Sequence, residues 1–578
     1  MVRNGNRRRG IFWLFLLVFL ILLGRLWQLQ VLKGEQYRRL SDKNRLRLVK
    51  ILPPRGRIYD RRGRLLVANR PSFDLLVTPA DVRDPQALAE ELSGLIDVPE
   101  EEILERIQGA RGPYEPVRVK KDLSFEELSR VEANLWDLPG VRITLVPVRT
   151  YPHGPLASHI LGTVGEITLE ELKRLRGKGY EVGDFVGKGG IESQWEVLLR
   201  GRKGGRQVEV DALGREVRVV KEVRPLAGWD LYLTLDLGLQ KEAEKLLEGK
   251  WGAIVALDPR NGEVLAMASS PSFDPRDFSR GLDPKRWQEL LRDPGHPLTN
   301  RAIQGLYAPG SVFKVLVALA ALAQGRLKPQ QRLYCPGYFP LGRRTFRCWK
   351  EGGHGSVDLY RAIVESCDVY FYQVGLELGP QAMVEFARAS GFGRPTGIKL
   401  PGEKAGYLPS PERGRWYDGD TVVMAIGQGP LLVTPLQMAR FVAAVANGGI
   451  LYRPILVLEA RDPLGKESLH YSSKELGRLP VGTGKLGRVK RALEGVVEDE
   501  HGTGRAARIE GVKVAGKTGT AQVIRTEERI RDPEELPFRY RDHAWFVAYA
   551  PAESPTICLL YTSPSPRDLS TSRMPSSA

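Results

Sequence analysis

A single unbroken apolar run, residues 11–23, lies almost at the start of a chain of 578 residues and governs what the remainder can become. Arg3, Arg7, Arg8 and Arg9 precede it. That charge asymmetry marks a helix inserted with its N-terminus in the cytoplasm. The run is short for a full span of about 20 residues. Leu26, Trp27, Leu29, Val31 and Leu32 extend it, with Arg25 able to snorkel and Trp27 suited to the interface. A cleaved signal peptide needs small residues of the A-x-A type, and no alanine occurs before Ala68. The expectation is a basic cytoplasmic tail over 1–10, a transmembrane helix over 11–32, and everything after about Lys33 outside the cytoplasm.

The chain beyond the anchor must therefore fold as ordinary water-soluble protein. Hydrophobic residues at 42% and charged residues at 27% are typical of globular domains and exclude wholesale disorder. The net charge of +17 is compatible with nucleic acid or an anionic membrane surface. The basic residues are dispersed and no nucleic-acid motif organises them, so the membrane is the expected partner and nucleic acid is not.

Turn and cap signals divide the extramembrane chain in two. A first region, 33–230, opens with the extended Pro53-Pro54-Arg55-Gly56-Arg57-Ile58-Tyr59-Asp60, then a turn at Arg62-Gly63 and the apolar strand Leu65-Leu66-Val67. Short helices are expected from Asp84-Pro85 and from Pro99. A third is expected behind the capping box Ser124 and Glu127, with Leu128, Val131 and Leu135 on one face. This mixed α+β region carries no catalytic constellation and reads as a spacer or docking module. A second region, 231–557, starts with a helix over 240–247 and two strands joined through Asn261-Gly262, a hairpin signal. Helical and strand patterns alternate from there. Residues 558–578 turn rich in Ser, Pro and Thr without periodicity and read as a disordered tail.

Chemistry enters at Tyr307-Ala308-Pro309-Gly310-Ser311-Val312-Phe313-Lys314, which leads into an apolar helical run. Ser311 and Lys314, three apart, share one face of the first turn. A serine hydroxyl needs a base to become a nucleophile, and lysine serves if an apolar setting weakens its hold on the proton. Alone, the pair is weak evidence. Ser366-Cys367-Asp368 comes next, then Lys517-Thr518-Gly519-Thr520 after the β-like Val512-Lys513-Val514. In this order the three are the active-site set of penicillin-binding proteins and class A β-lactamases. Ser366 can relay a proton. Lys517 and Thr518 offer a cation and a hydroxyl to a substrate carboxylate, and Gly519 lets an extended peptide approach the strand edge.

With these motifs, Arg55-Gly56-Arg57-Ile58, Gly190-Ile191-Glu192, Gly427-Gln428-Gly429, Thr434-Pro435-Leu436-Gln437 and His543-Ala544-Trp545-Phe546, the sequence resembles the class B penicillin-binding proteins, and among them the cell-elongation type. The resemblance runs from the anchor to about Thr556. It implies an α+β multidomain architecture: one N-terminal transmembrane helix, a mixed α+β pedestal of the dimerisation type, and a transpeptidase α/β domain whose central antiparallel sheet is flanked by helices. It implies a D,D-transpeptidase of the cytoplasmic (inner) membrane, its catalytic domain extracytoplasmic. Ser311 would be acylated by peptidoglycan stem peptides or β-lactams, with Lys314 as base. Ser366 and Asp368 would form the second motif and Lys517 to Thr520 the third. Backbone N–H groups of Ser311 and Thr520 would form the oxyanion hole. No cofactor is required for acyl transfer. Partners implied are a SEDS-family, RodA-type glycosyltransferase and other elongation-complex proteins. Two departures stand out: Asp368 where most relatives carry asparagine, and a C-terminus that leaves the family pattern at Cys558. The latter predicts a sheet missing one element.

Cys335, Cys348, His354 and Cys367 crowd together and form a Cys₃His set of the kind that closes around tetrahedral zinc. Three readings compete: structural Zn²⁺, a Cys335–Cys348 disulfide permitted outside the cytoplasm, and unrelated buried thiols. The resemblance adds that some elongation-type relatives carry a metal beside the second motif. For the function, the rivals are a division-type transpeptidase, a D,D-carboxypeptidase or β-lactamase-like hydrolase, and an inactive scaffold. A long anchored pedestal argues against the hydrolase, and the intact Ser311, Lys314 and Lys517 argue against the scaffold.

Overall fold

The computed structural model describes residues 4–35, 46–110, 112–210, 216–279, 281–523 and 541–564. Residues 1–3 of the expected basic tail and 565–578 of the expected C-terminal tail lie outside them. The chain forms two compact units: 1–54, 70–148 and 201–227 make one, and 55–69, 149–200 and 228–578 the other. Packing thus interleaves what a single boundary near residue 230 separates in the sequence.

In the first unit the apolar run forms the helix Asn4–Trp27, continued by a wider turn over Gln28–Leu32. Its stretch Ile11–Leu32 is long and apolar enough to cross a membrane and none of it is buried. At 1.5 Å per residue it spans about 33 Å, a hydrocarbon core. Strands Leu46–Ile51, Gly204–Val210 and Glu216–Val223 pair antiparallel. Three short helices enclose a second core of Leu75, Leu92, Ile103, Val119 and Val131. Their starts obey the sequence signals. Asp84 caps Pro85–Leu95 by accepting from the Gln86 and Ala87 N–H groups, and Ser124 with Glu127 completes a capping box on Phe125–Asn134. Pro99 is itself the cap of Glu100–Gln108 rather than its first helical residue.

The second unit is built on a five-stranded antiparallel sheet in the order Val264–Ser270, Gly252–Leu257, Ile557–Pro564, His543–Ala550, Ala515–Ala521. Helices cover both faces. One face takes Ala243 of the helix Leu237–Leu246 and its C-cap Leu247 against Ile254, Ala256 and Ala268. The other packs Val255, Trp545, Val547 and Leu560 into the main core with the helices Lys314–Ala323 and Pro435–Ala446. The 435–446 helix is buried along its whole length, and its two polar side chains, Gln437 and Arg440, are hydrogen-bonded to backbone carbonyls. In the same unit, fully buried Glu192 is gripped by Arg55 (3.0 Å) and Arg149 (2.6 Å), and Arg55 also reaches Glu196 (2.7 Å). Removing one partner of such a network would leave a buried charge uncompensated.

The strand Ile557–Pro564 corrects the expectation that the sheet loses an element at Cys558. It is the central strand, paired over its whole length with His543–Ala550 and over Cys558 to Thr562 with Gly252–Leu257. Its residues alternate as the pleat requires. Cys558, Leu560 and Thr562 are buried on the main-core side, and Ile557, Leu559 and Tyr561 pack against the other cluster. We expect Leu560→Ala to destabilise the second unit by about 2–5 kcal/mol and Leu559→Ala by under about 2 kcal/mol, measured by denaturant unfolding of the full chain in detergent. Equal effects would contradict the deeper burial of Leu560 on the main-core face.

Candidate active site and thiol cluster

The three sequence motifs meet at one buried group of charges. A 3-10 turn, Gly310–Phe313, carries half-buried Ser311 and leads into the helix Lys314–Ala323, with Lys314 fully buried at 0% exposure. The ammonium has three donors, and all three go to the second motif: Ser366 O at 2.8 Å, Ser366 Oγ at 3.3 Å and Asp368 Oδ1 at 2.7 Å. Lys314 is thus placed as a donor to Ser366 and Asp368, while its expected role as base toward Ser311 requires it to give up a proton first.

Ser366 sits at φ +54°, in the left-handed region that few non-glycine residues adopt. Its carbonyl accepts from Lys314 Nζ and from the Trp349 indole N–H at 3.1 Å. Those two donors offset the backbone strain, which is of order 1–3 kcal/mol for such a residue. Asp368 opens the helix Asp368–Leu378, where its Oδ2 accepts the Trp349 backbone N–H at 3.0 Å.

The third motif lies on a strand: Ala515–Ala521 includes Lys517 to Thr520 and forms the edge of the sheet. Lys517, also at 0% exposure, donates to Ser366 Oγ at 2.8 Å and to Thr518 O at 3.0 Å. Its cation is therefore buried beneath the strand, and the groups open at the edge are hydroxyls. Thr518 Oγ1 donates to Thr503 Oγ1 at 2.8 Å, and Thr520 is exposed. A Cβ on Gly519 would come within 2.9 Å of Val312 Cγ2, and one on Gly310 within 2.5 Å of Thr520 O. The missing side chains thus seat the nucleophile turn against the strand, which brings the Ser311 and Thr520 peptides together.

Burial holds Lys517 well below the ordinary lysine range. The neighbouring Lys314 pushes the same way, and Asp368 opposes both. The Ser366 oxygen accepts from both lysines, so a proton can pass from one nitrogen to the other through its hydroxyl. Trp349, Thr503 and Gln428, whose Nε2 donates to Thr520 O at 3.1 Å, belong to this neighbourhood. Sequence spacing assigns no role to the first two and marks the third only as part of a family-like stretch.

Cys335, Cys348, His354 and Cys367 converge as well. Their ligand atoms all lie within 4.8 Å of one another, and all four residues are buried. Cys335 Sγ and Cys348 Sγ stand 3.6 and 3.5 Å from His354 Nδ1. Zinc bonds of about 2.3 Å to sulfur and about 2.0–2.1 Å to nitrogen at a tetrahedral angle require S···N near about 3.6 Å. The donor set fits. All three thiols are free, so the structure contains no Cys335–Cys348 disulfide. Cys348 is driven toward thiolate by its hydrogen bond with Cys367 and by His354, and the same bond pushes the Cys367 thiol up. The strand pair Leu333–Cys335 with Gly355–Val357, and the hairpin Tyr338–Leu341 with Arg344–Arg347 that lies between them in sequence, deliver Cys335, Cys348 and His354. Cys367 also caps the helix Asp368–Leu378, accepting from the Tyr370 N–H.

The depressed Lys517 makes a pH-dependent prediction. Between its lowered folded value and the ordinary 10.5, the unfolded chain binds more protons, so stability rises with pH across that window. Lys517→Met removes the penalty. Its thermal midpoint should exceed the parent's at neutral pH, by the equivalent of on the order of 1 kcal/mol, and the gap should close as pH approaches 10.5. A constant gap, or a less stable variant, would show that Lys517 is not held against its charge.

Known proteins share this organisation. Residues 252–575 match the penicillin binding protein transpeptidase domain, and residues 50–233 the penicillin-binding protein dimerisation domain. The chain is 38% identical over 560 residues to the peptidoglycan D,D-transpeptidase MrdA of Acinetobacter baumannii, covering 94% of this chain and 82% of that one. It is similar to a penicillin-binding protein (PBP2) solved in complex with MreC from Helicobacter pylori, with TM-score 0.77, 31% identity, and coverage of 90% of this chain and 95% of that one. A chain of a peptidoglycan synthase complex, solved for the coordination of polymerization and crosslinking, superposes with TM-score 0.69 and 32% identity, covering 97% of this chain and 95% of that one. This chain belongs to the penicillin-binding proteins, in class B, with the peptidoglycan D,D-transpeptidases of the penicillin-binding protein 2 type.

Proposed function

We propose that this chain crosslinks peptidoglycan stem peptides during cell elongation through an acyl-enzyme on Ser311, and that β-lactams acylate the same residue. The observation that carries the reading is the meeting of Lys314 and Lys517 on the single oxygen of Ser366, beside the turn that holds Ser311. A proton passed from Lys314 through the Ser366 hydroxyl to Lys517 leaves Lys314 a neutral amine on the same face as Ser311, able to take the serine proton. Ser311 Oγ then attacks the D-Ala-D-Ala carbonyl. Negative charge develops on its oxygen between the Ser311 and Thr520 N–H groups. The C–N bond breaks, D-alanine leaves with a proton returned along the same path, and an amine of a second stem peptide resolves the ester. The hydroxyls of Thr518 and Thr520 receive the substrate carboxylate at the strand edge, in place of the buried Lys517 cation.

In this reading 33–230 serves as the pedestal and 231–557, extended through Pro564, as the transpeptidase domain. The helix Ile11–Leu32 is a single-pass anchor in the inner membrane, with Arg7, Arg8 and Arg9 on the cytoplasmic side. No polymerising domain is present among the described residues. The glycan strands come from a partner, a SEDS-family, RodA-type glycosyltransferase in this proposal, and a MreC-like protein is a second partner, since a similar PBP2 was solved with MreC.

Cys335, Cys348, His354 and Cys367 hold structural Zn²⁺ in this proposal. The ion would neutralise the thiolates and tie the hairpin bearing Trp349 to the second motif. The full chain purified without chelators should carry about one zinc per chain by elemental analysis, and Cys348→Ser should lose it. Metal-free parent protein with three titratable thiols would refute the site.

The acylation test is direct. Fluorescent penicillin should label the full chain with a stable adduct, placed on Ser311 by mass spectrometry and absent in Ser311→Ala. Rapid release of hydrolysed drug would point to a β-lactamase, and no adduct on a cooperatively folded chain would leave an inactive scaffold.

A further inference from the structure

The loop Gly427-Gln428-Gly429 touches the peptide that carries the Ser311 N–H and the carbonyl of Thr520, the two residues whose N–H groups would form the oxyanion hole, and we propose that Gln428 is a positioning residue that sets this hole for acyl transfer. The inference rests on Ser311 being the nucleophile. On one side, Gly427 O accepts the Gly310 N–H at 2.9 Å. A Cβ on Gly427 would fall 2.2 Å from Gly310 O, so the loop backbone lies directly against the carbonyl of the peptide that carries the Ser311 N–H. In a trans peptide C=O and N–H point in opposite directions. With its carbonyl turned to the loop, this peptide aims the Ser311 N–H away from it, toward the strand-edge groove.

On the other side, Gln428 Nε2 donates to Thr520 O at 3.1 Å. Thr520 lies on an edge strand whose only neighbour in the described sheet is His543–Ala550. A strand residue turns its N–H and C=O to the same side, and successive residues alternate. The carbonyls of Thr518 and Thr520, two apart, are both taken by side chains, from Lys517 and Gln428. That period of two places them on the free edge, and the Thr520 N–H with them. Gln428 therefore holds the second donor residue in the orientation that presents its N–H beside Ser311. One loop fixes both halves: Gly427 by its backbone and Gln428 by its side chain. The stretch is far from all three motifs in sequence, and its link to Thr520 spans 92 positions.

A group that aligns a transition-state donor affects the chemical step and leaves ground-state binding alone. The test uses the full chain in detergent and time courses of fluorescent penicillin labelling over a range of concentrations. These separate the half-saturating concentration of the non-covalent complex from the acylation rate constant. Gln428→Ala should lower the rate constant by about tenfold to a hundredfold, somewhat less than deleting an oxyanion donor outright. Its half-saturating concentration should stay within about twofold. Gln428→Glu, which sets an acceptor and a charge against the Thr520 carbonyl, should lower the rate constant further. A boronic acid that forms a tetrahedral anion on Ser311 should lose affinity by the same factor, because its oxygen occupies the hole. Parent-like rate constants in both variants overturn the proposal. So does a loss confined to the half-saturating concentration, or one accompanied by an equal loss of thermal stability. Failure of the parent to label at Ser311 would instead overturn the acyl-enzyme reading on which this inference stands.

Discussion

Two lysine side chains with no solvent exposure share one hydroxyl oxygen in this protein, with a single carboxylate to balance them. Burying one ammonium is expensive, and burying two side by side is feasible only if one gives up its proton or each finds strong acceptors. The fold meets both conditions. Lys314 has three acceptors, one of them Asp368, and Lys517 is held below the ordinary lysine range by burial and by Lys314 itself. Everything nearby serves this arrangement. Ser366 takes a left-handed backbone so that both its carbonyl and its hydroxyl reach the lysines. The glycines at 310 and 519 let the nucleophile turn lie on the strand that carries Lys517. The pair is costly to fold and is what makes a proton available to move.

The thiol cluster belongs to the same construction. Cys367 stands between Ser366 and Asp368, and Cys348 directly precedes Trp349. Trp349 bonds the Ser366 carbonyl through its indole and Asp368 through its backbone. Whatever ties Cys348 to Cys367 therefore also fixes the hairpin whose next residue braces the strained serine. A four-ligand cluster gives that brace a rigidity that loose strand pairs of three and four residues per strand do not have of themselves.

The features legible in the sequence are local ones. The capping box at Ser124, the Asp84 cap, the hairpin at Asn261-Gly262 and the Ser311-x-x-Lys314 turn each depend on residues within a few positions of one another. The motif order supplies the long-range part, through resemblance rather than pattern. Trp349, Thr503 and Gln428 carry no such signal, since each acts through hydrogen bonds to a segment 15 or more positions away. The strand Ile557–Pro564 escapes a sequence reading for a different reason. Buried on both faces, it shows no alternation of apolar and polar residues, and the Ser- and Pro-rich stretch beyond it lends its composition to the whole segment. The third motif lies on a strand, as the sequence reading has it, although Lys517 and Gly519 have poor strand propensity; pairing with His543–Ala550 overrides it.

The choice of aspartate at 368 is explained by what surrounds it. In isolation the aspartate looks like a liability, a negative charge beside a carboxylate substrate. Its two oxygens both face inward, one to the Lys314 ammonium and the other to the Trp349 backbone N–H. An asparagine there could accept on one side only. Whichever way it turned, its NH₂ would meet a donor, either the ammonium or the amide. A donor facing a donor in a buried site leaves two groups unsatisfied, and each is worth more than the hydrogen bond lost. The presence of Trp349 N–H opposite Oδ2 therefore selects the carboxylate, and the charge follows as the counter-ion that lets Lys314 remain buried. The residue at 368 and the hairpin at 349 are one design choice, and a chain that changed the second would be free to carry asparagine at the first.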